Sequence, residues 1–249
     1  MIYWDRATLK ARAKEVLKKS YWTSLLAALI VGVVTGGLNL TLSYKTSSGE
    51  LSGVINQYGM SGETIVRSLL PVFSVVAVGA GVFGILYAIF VANIARIGND
   101  RFFTLCRYDR VELEELLFGF KNGRYMDNVK TMFMMDLYIV LWSLLLVVPG
   151  IIKALQYCMV PYILAENPNL STERALELSA RMTDGEKGNI FVLALSFIGW
   201  YLLGLLACGV GVLFVTPYAE ATFAELYGAL RYKAVQTGVC DKTELGAEL

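Results

Sequence analysis

Glu220 is the residue whose position asks most of this chain. It stands in GVGVLFVTPYAEATFAELY (209–227), an almost wholly apolar run, three residues after Pro217. A carboxylate inside a membrane-spanning segment costs about 2.5–3.5 kcal/mol on insertion scales, so such groups mark proton, ion or ligand paths. A proline in the same segment releases a backbone carbonyl that can kink the helix or bind a polar group. Counted from a helix start near 210 at about 1.5 Å per residue, Glu220 lies roughly 15 Å deep. The chemistry predicted is binding of a proton, an ion or a polar ligand, or gating of its passage. The plainer alternative is a glutamate protonated or paired within the packing. Glu225, Asp136 and Asn93 also sit in apolar surroundings, nearer the ends of their segments. Facing inward together, they would form a polar vestibule; apart, each would reach interfacial water. Pro149, Gly150 and Pro161 join Pro217 as candidate helix breaks or gates. Lys153, Lys10, Lys14 and Lys18 are the candidates for contact with lipid headgroups, because long basic side chains near helix ends reach the interface.

Composition removes several familiar chemistries and leaves carboxylate or membrane-embedded chemistry open. The 249 residues contain no histidine, which removes a Ser-His-Asp triad, a Cys-His pair and any histidine-ligated metal. The four cysteines form no Cys-x-x-Cys pair. Gly79-Ala80-Gly81 lacks the Gly-Lys-Ser/Thr that completes a phosphate-binding loop. The expectation is a protein that is not an enzyme and carries no cofactor or metal. Acidic residues interleave with the basic ones, so nucleic acid is not an expected partner.

The elements that hold these residues are apolar and long. Hydrophobic residues make up 56% of the chain, well above a soluble domain. About 20 apolar residues match the hydrocarbon thickness of a bilayer. Six spans are predicted, at about 23–42, 69–97, 131–148, 151–166, 189–207 and 210–229, with an outer loop at 43–68. The fold class expected is an all-α integral membrane protein, 1–249 forming one polytopic domain. With the N-terminus inside, the inner segments hold 19 of the 22 Lys and Arg residues, leaving Lys45, Arg67 and Lys153 outside. The positive-inside rule then places both termini in the cytoplasm. The first span is expected to be retained: its apolar run is longer than the core of a signal peptide and follows a charged helix.

Each pair of spans follows a short amphipathic segment. DRATLKARAKEVLKKSYW (5–22) sets Leu9, Ala13, Val16 and Leu17 at helical spacing opposite lysines and arginines, the pattern of a helix lying in an anionic interface. DRVELEELLFGFKNG (109–123) offers Asp109 and Glu112 as a capping box and Leu113, Leu116, Leu117 and Phe120 as a stripe. STERALELSARM (171–182) offers Ser171 as an N-cap, with Ala175, Leu178, Ser179 and Met182 on one face. LWSLLLVVPGIIKALQYCMVPY (141–162) and GWYLLGLLACGVGVLFVTPY (199–218) also echo each other. The predicted architecture is therefore three hairpins, each preceded by a cytoplasmic amphipathic helix. Small residues at Gly32/Gly36, Ala80/Gly84, Gly204/Cys208 and Ala207/Gly211 allow close helix approach, within the chain more than between copies.

PGIIKALQYCMVPYILAENP (149–168), ALELSARMTDGEKGNIFVLALSFIGWYLL (175–203), GVGVLFVTPY (209–218) and the opening LKARAKEVLKKSYW (9–22) resemble the bacterial membrane family known as domain of unknown function 975. The resemblance implies a multi-span protein of the bacterial plasma membrane and brings no activity and no site residues with it. Residues 43–68 match no pattern of that family. Two function classes follow. One is a permease or channel-like protein, or a lipid-handling one, with a polar intramembrane site near Glu220. The other is a membrane scaffold or assembly factor that works through protein partners or a second copy and through its interfacial helices, held by anionic lipid headgroups.

Overall fold

The computed structural model describes residues 4–35, 75, 78, 79, 81–108, 111–206, 210–241 and 243–245. Among them every regular element is helical. The chain divides into a unit of Met1–Gly37 with Ile89–Leu249 and a second unit, Leu38–Ala88. In the second unit the described residues 81–87 are helical and apolar, with Phe83 stacked on Tyr87 at 6.5 Å. The predicted outer loop 43–68 and residues 36–42 of the first span lie outside the described residues.

Among the described residues, the first unit is built from nine helices. They are α1 (Arg6–Val34), α2 (Asn93–Leu105), α3 (Phe118–Lys121), α4 (Tyr125–Leu145), α5 (Val147–Tyr157), α6 (Val160–Glu166), α7 (Thr172–Met182), α8 (Lys187–Leu206) and α9 (Val210–Gln236). A π-helical turn, Ala88–Ala92, leads into α2, and a 3-10 turn, Leu113–Leu117, leads into α3. Among the described residues five helical stretches, some of more than one element, are long and apolar enough to cross a membrane: Arg6–Val34, Gly81–Leu105, Tyr125–Leu145, Val147–Glu166 and Lys187–Leu206. α9, where the sixth span is predicted, is long enough but more polar. It is instead central, packed against α1, α2, α7 and α8, and buries Ala219, Ala221, Ala224, Leu226, Tyr227 and Leu230.

The surface explains how α9 tolerates its polar residues. Large apolar side chains are exposed along the second half of α1 and on α4, α5 and α8, with Leu144 83% and Leu206 81% exposed. Lipid is as apolar as leucine, so these faces need no protein cover. Polar atoms do need it, and α9 sits where the other helices supply it.

Three expectations about the elements are corrected. The hairpin between α4 and α5 turns at Leu146, which is extended (φ −158°, ψ 144°). Pro149 and Gly150 fall in the first turn of α5, where a proline loses no helical hydrogen bond. Gly150 is there for contact: a Cβ would collide with the Ser143 side chain. The span at 151–166 is two helices, broken at Cys158 and Met159 with Pro161 opening α6. The break frees the Gln156 carbonyl, which accepts from Ser179 Oγ at 2.8 Å and from Thr183 Oγ1 at 3.3 Å. Pro217 makes no such break, because α9 runs through it.

The amphipathic segments also differ from one another. α7 forms as expected, with Ser171 Oγ accepting from Arg174 N at 3.2 Å and Ala175, Leu178, Ser179 and Met182 buried. The stripe predicted at 109–123 splits. Leu116 is buried while Leu117 and Phe120 are exposed, because the 3-10 turn rotates the face and draws Gly98 and Gly119 into backbone contact between α2 and this segment. Asp109 lies outside the described residues, and Glu112 makes no side-chain cap. The stripe of α1 is buried against protein rather than lipid: Leu9, Ala13, Val16 and Leu17 belong to the core. α1 kinks at Ser20 (φ −135°, ψ 33°), where Ser20 Oγ donates to the Val16 carbonyl and Thr23 Oγ1 to the Ser20 carbonyl. Such back-bonding bends helices.

Candidate functional site

α2 carries most of the site. Asn93, Arg96 and Asp100 fall at positions i, i+3 and i+7, so they share a face, and Asn99 lies beside them. That face meets α9 at Glu220 and α6 at Tyr162 around a cavity of about 650 Å³. Val31, Ile151, Leu155, Ile190 and Phe223 make its apolar walls.

Charge and hydrogen bonding in the cavity are unbalanced. Arg96 has exposed surface although protein surrounds it, because it lines the cavity. Among the described residues no carboxylate comes within ion-pair distance of it; its electrostatic partners are Asp100, then Glu220, then Tyr162 and Asp136. Asn99 lies close to both Asp100 and Glu220. Asp100 and Asn99 are buried, and Asp100 Oδ2 and Asn99 Oδ1 have no hydrogen-bond partner. Buried polar atoms are normally satisfied; here two adjacent residues on one wall of the cavity each leave an acceptor without a hydrogen-bond partner, as Asn128 and Glu166 do elsewhere. The π-helical turn immediately before Asn93 is a type of irregularity frequent at functional sites.

Of the four predicted polar residues, the structure brings Glu220 and Asn93 to the cavity. Asn93 Nδ2 also donates to Asp136 Oδ2 at 2.6 Å, which ties α2 to α4. Glu225 turns away. Five residues from Glu220, it faces another side of α9 and pairs with Arg107 at 3.0 Å. The predicted vestibule of Glu225, Asp136 and Asn93 is thus two separate pairs.

Sequence reasoning misses Arg96, Asn99 and Asp100. Arg96 counts there only as a positive-inside marker, and the three stand at the edge of an apolar run where such residues usually meet water. The signal available is the spacing Asn93, Arg96, Asp100 on one helical face.

A second polar cluster lies beside the cavity. Tyr162 stacks on Tyr227 at 5.2 Å between ring centres, and Tyr227 donates to Glu166 Oε2 at 2.6 Å. Glu166 also pairs with Arg231 at 2.9 Å. Arg101 pairs with Glu115 at 2.7 Å, donates to the Ala165 carbonyl at 2.6 Å and covers the Phe118 ring at 3.9 Å. Unlike the cavity, these groups are matched charge for charge.

The lysines are placed as follows. Lys10 Nζ donates to Ser196 Oγ at 2.7 Å and lies over Phe197 at 4.7 Å, both on α8. Lys14 lies 5.7 Å from the Tyr218 ring centre. Lys14 and Lys18 edge an apolar groove of about 540 Å³ floored by Leu17, Trp200 and Phe214. Lys153 sits between Trp142 and Tyr157, 5.4 Å from each ring. Among the described residues no group of three or more Cys, Asp or Glu could hold a metal ion.

Residues 144–234 match the family described as "Protein of unknown function (DUF975)". The matched segment runs from the end of α4 to near the end of α9, so it holds Glu220 and Tyr162 but not the α2 face. No curated protein and no solved structure matches the chain.

Proposed function

We propose that this chain is a permease-like protein of the bacterial plasma membrane that passes a small polar or charged solute through the cavity between α2, α6 and α9. The observation that carries the reading is the cavity itself. Arg96, Asp100 and Glu220 face one space without direct ion pairing to one another, beside two open acceptors. The neighbouring carboxylates, Glu166 and Glu225, each meet an arginine at ion-pair distance, whereas among the described residues Asp100 and Glu220 meet none, and unpaired carboxylates inside spans mark ligand or ion paths. In this reading α9 is the sixth span, both termini are cytoplasmic, and the protein performs no covalent chemistry. The distribution of basic residues supports that orientation. Anionic headgroups meet Lys14 and Lys18 at the groove edge.

Glu220 is the group that takes up and gives back the proton. The test is flux into proteoliposomes driven by a pH gradient, compared between the unaltered chain and Glu220→Gln. Proton-linked flux is expected to fall about tenfold or more, because the amide keeps the shape but carries no exchangeable charge. Unchanged flux in the variant would remove Glu220 from the path.

A further inference from the structure

The cavity's charge count says more about its ligand. Two carboxylates, Asp100 and Glu220, stand against one guanidinium, Arg96. Arg96 and Asp100 are four residues apart on one helical face and offset each other. One negative charge remains, and Asp136 behind Asn93 adds to the negative field. A carboxylate in a low-dielectric site keeps its charge only if a cation joins it; otherwise it takes a proton. The open hydrogen-bonding positions agree. Asp100 Oδ2 and Asn99 Oδ1, on residues 3% and 5% exposed, are both acceptors, so the missing partner is a donor. The opposite walls, Ile151, Leu155, Ile190 and Phe223, are apolar and leave far more room than a bare ion fills.

We infer that the cavity binds an organic monovalent cation, with its ammonium group between Asp100 and Glu220 and its hydrocarbon body against Ile151, Leu155 and Phe223. The inference rests on the permease reading for its biological sense, though not for its test. Ammonium N–H groups donate to the open acceptors, and the positive charge offsets Glu220. Proton and ammonium then compete for the same carboxylate, which links their movements. No bond is made or broken.

The test is equilibrium binding to the full chain in detergent, by calorimetry near neutral pH, with no gradient. The probes are n-hexylammonium, hexanol, hexanoate and sodium ion. Hexylammonium is expected to bind about tenfold or more tighter than hexanol or hexanoate, the difference one charge-assisted contact makes. Asp100→Asn and Glu220→Gln are each expected to weaken hexylammonium about tenfold and to leave hexanol unchanged. Equal binding of hexanol would make the site merely apolar and overturn the inference. Tighter binding of hexanoate would make it an anion site at Arg96. Sodium ion displacing hexylammonium at equal concentration would make it an inorganic cation site. Each of these three outcomes is measured on the unaltered chain, so a variant that fails to fold does not remove the test. Binding as expected without any flux would overturn the permease reading and leave this one standing. Glu220-dependent flux with no hexylammonium binding would do the reverse.

Discussion

Glu220 and Glu225 are five residues apart on one helix, and their surroundings give them opposite tasks. Glu225 is 5% exposed and meets Arg107, whose guanidinium lies across α9 at Gly228, where a Cβ would collide with it. The carboxylate is taken up by Arg107 Nε, while Arg107 Nη1 is buried without a hydrogen-bond partner. Removing one partner of a buried pair leaves an uncompensated charge and costs about 3–5 kcal/mol, whereas replacing both by apolar groups is often neutral. Arg107→Leu alone is therefore expected to lower the melting temperature of the purified protein sharply. The Arg107→Leu, Glu225→Leu double variant should recover most of the loss, read as the coupling energy of a double-mutant cycle. A double variant as unstable as the single one would show that Arg107 matters through other contacts.

The helical hairpins close on small residues. Gly150 meets Ser143 across the turn between α4 and α5, and Gly204 meets Gly211 between α8 and α9, where a Cβ on Gly204 would lie 2.8 Å from the Gly211 carbonyl carbon. Both hairpins thus pair positions seven residues apart, a likeness in packing that accompanies the echo between 141–162 and 199–218. They part at the prolines: Pro161 opens a new helix, and Pro217 lies inside a continuous one. Overpacking at such a contact costs about 1–3 kcal/mol. Gly204→Val is expected to lower the thermal unfolding temperature by that measure. Gly32→Ala, with nothing within 4 Å of the added carbon, is expected to stay within about 0.5 kcal/mol of the unaltered protein. Equal effects of the two would show that helix propensity, not helix approach, governs both sites.

At the scale of the molecule, the C-terminal segment ties the bundle together. Arg174 on α7 bonds Glu244 through two nitrogens, at 2.6 and 2.9 Å, and donates to the Val239 carbonyl at 3.2 Å. Asn167 donates to the Glu244 carbonyl at 2.9 Å. The Arg174 hydrogen bonds hold the Glu244 carboxyl below its ordinary value of 4.5. At the turn before α8, burial works against the charge of Glu186, yet its bond to Lys233 on α9 prevails and its value is also lowered. A carboxyl with a depressed folded value contributes stability that is complete above its unfolded value and is lost as pH falls through the folded one. Acidification from neutral to below about pH 4.5 is therefore expected to free residues 239–245 first, seen as faster amide exchange there. Glu244→Gln should exchange fast at both pH values, and a segment equally protected at low pH would show that the carboxylate does not hold it.

By itself the sequence determined that the chain is helical, that several helices suit a bilayer, and that Glu220 is costly where it stands. Those properties follow from local composition and period, which a linear reading captures. It also located α7 and its cap, since an N-cap is satisfied within one turn. Only the tertiary structure decided which polar residues meet. Asn93 and Asp136 are 43 residues apart, Arg107 and Glu225 118. Arg96 and Asp100 gain their meaning from α9, packed against α2 from far along the chain. The buried stripe of α1 likewise reads as a lipid-facing pattern until α9 and α2 cover it. In a bilayer an apolar face is equally content with lipid or with protein, so hydrophobic spacing alone cannot say which it meets. Polar groups are less tolerant, and their pairing or lack of it distinguishes the cavity from the closed ion pairs beside it.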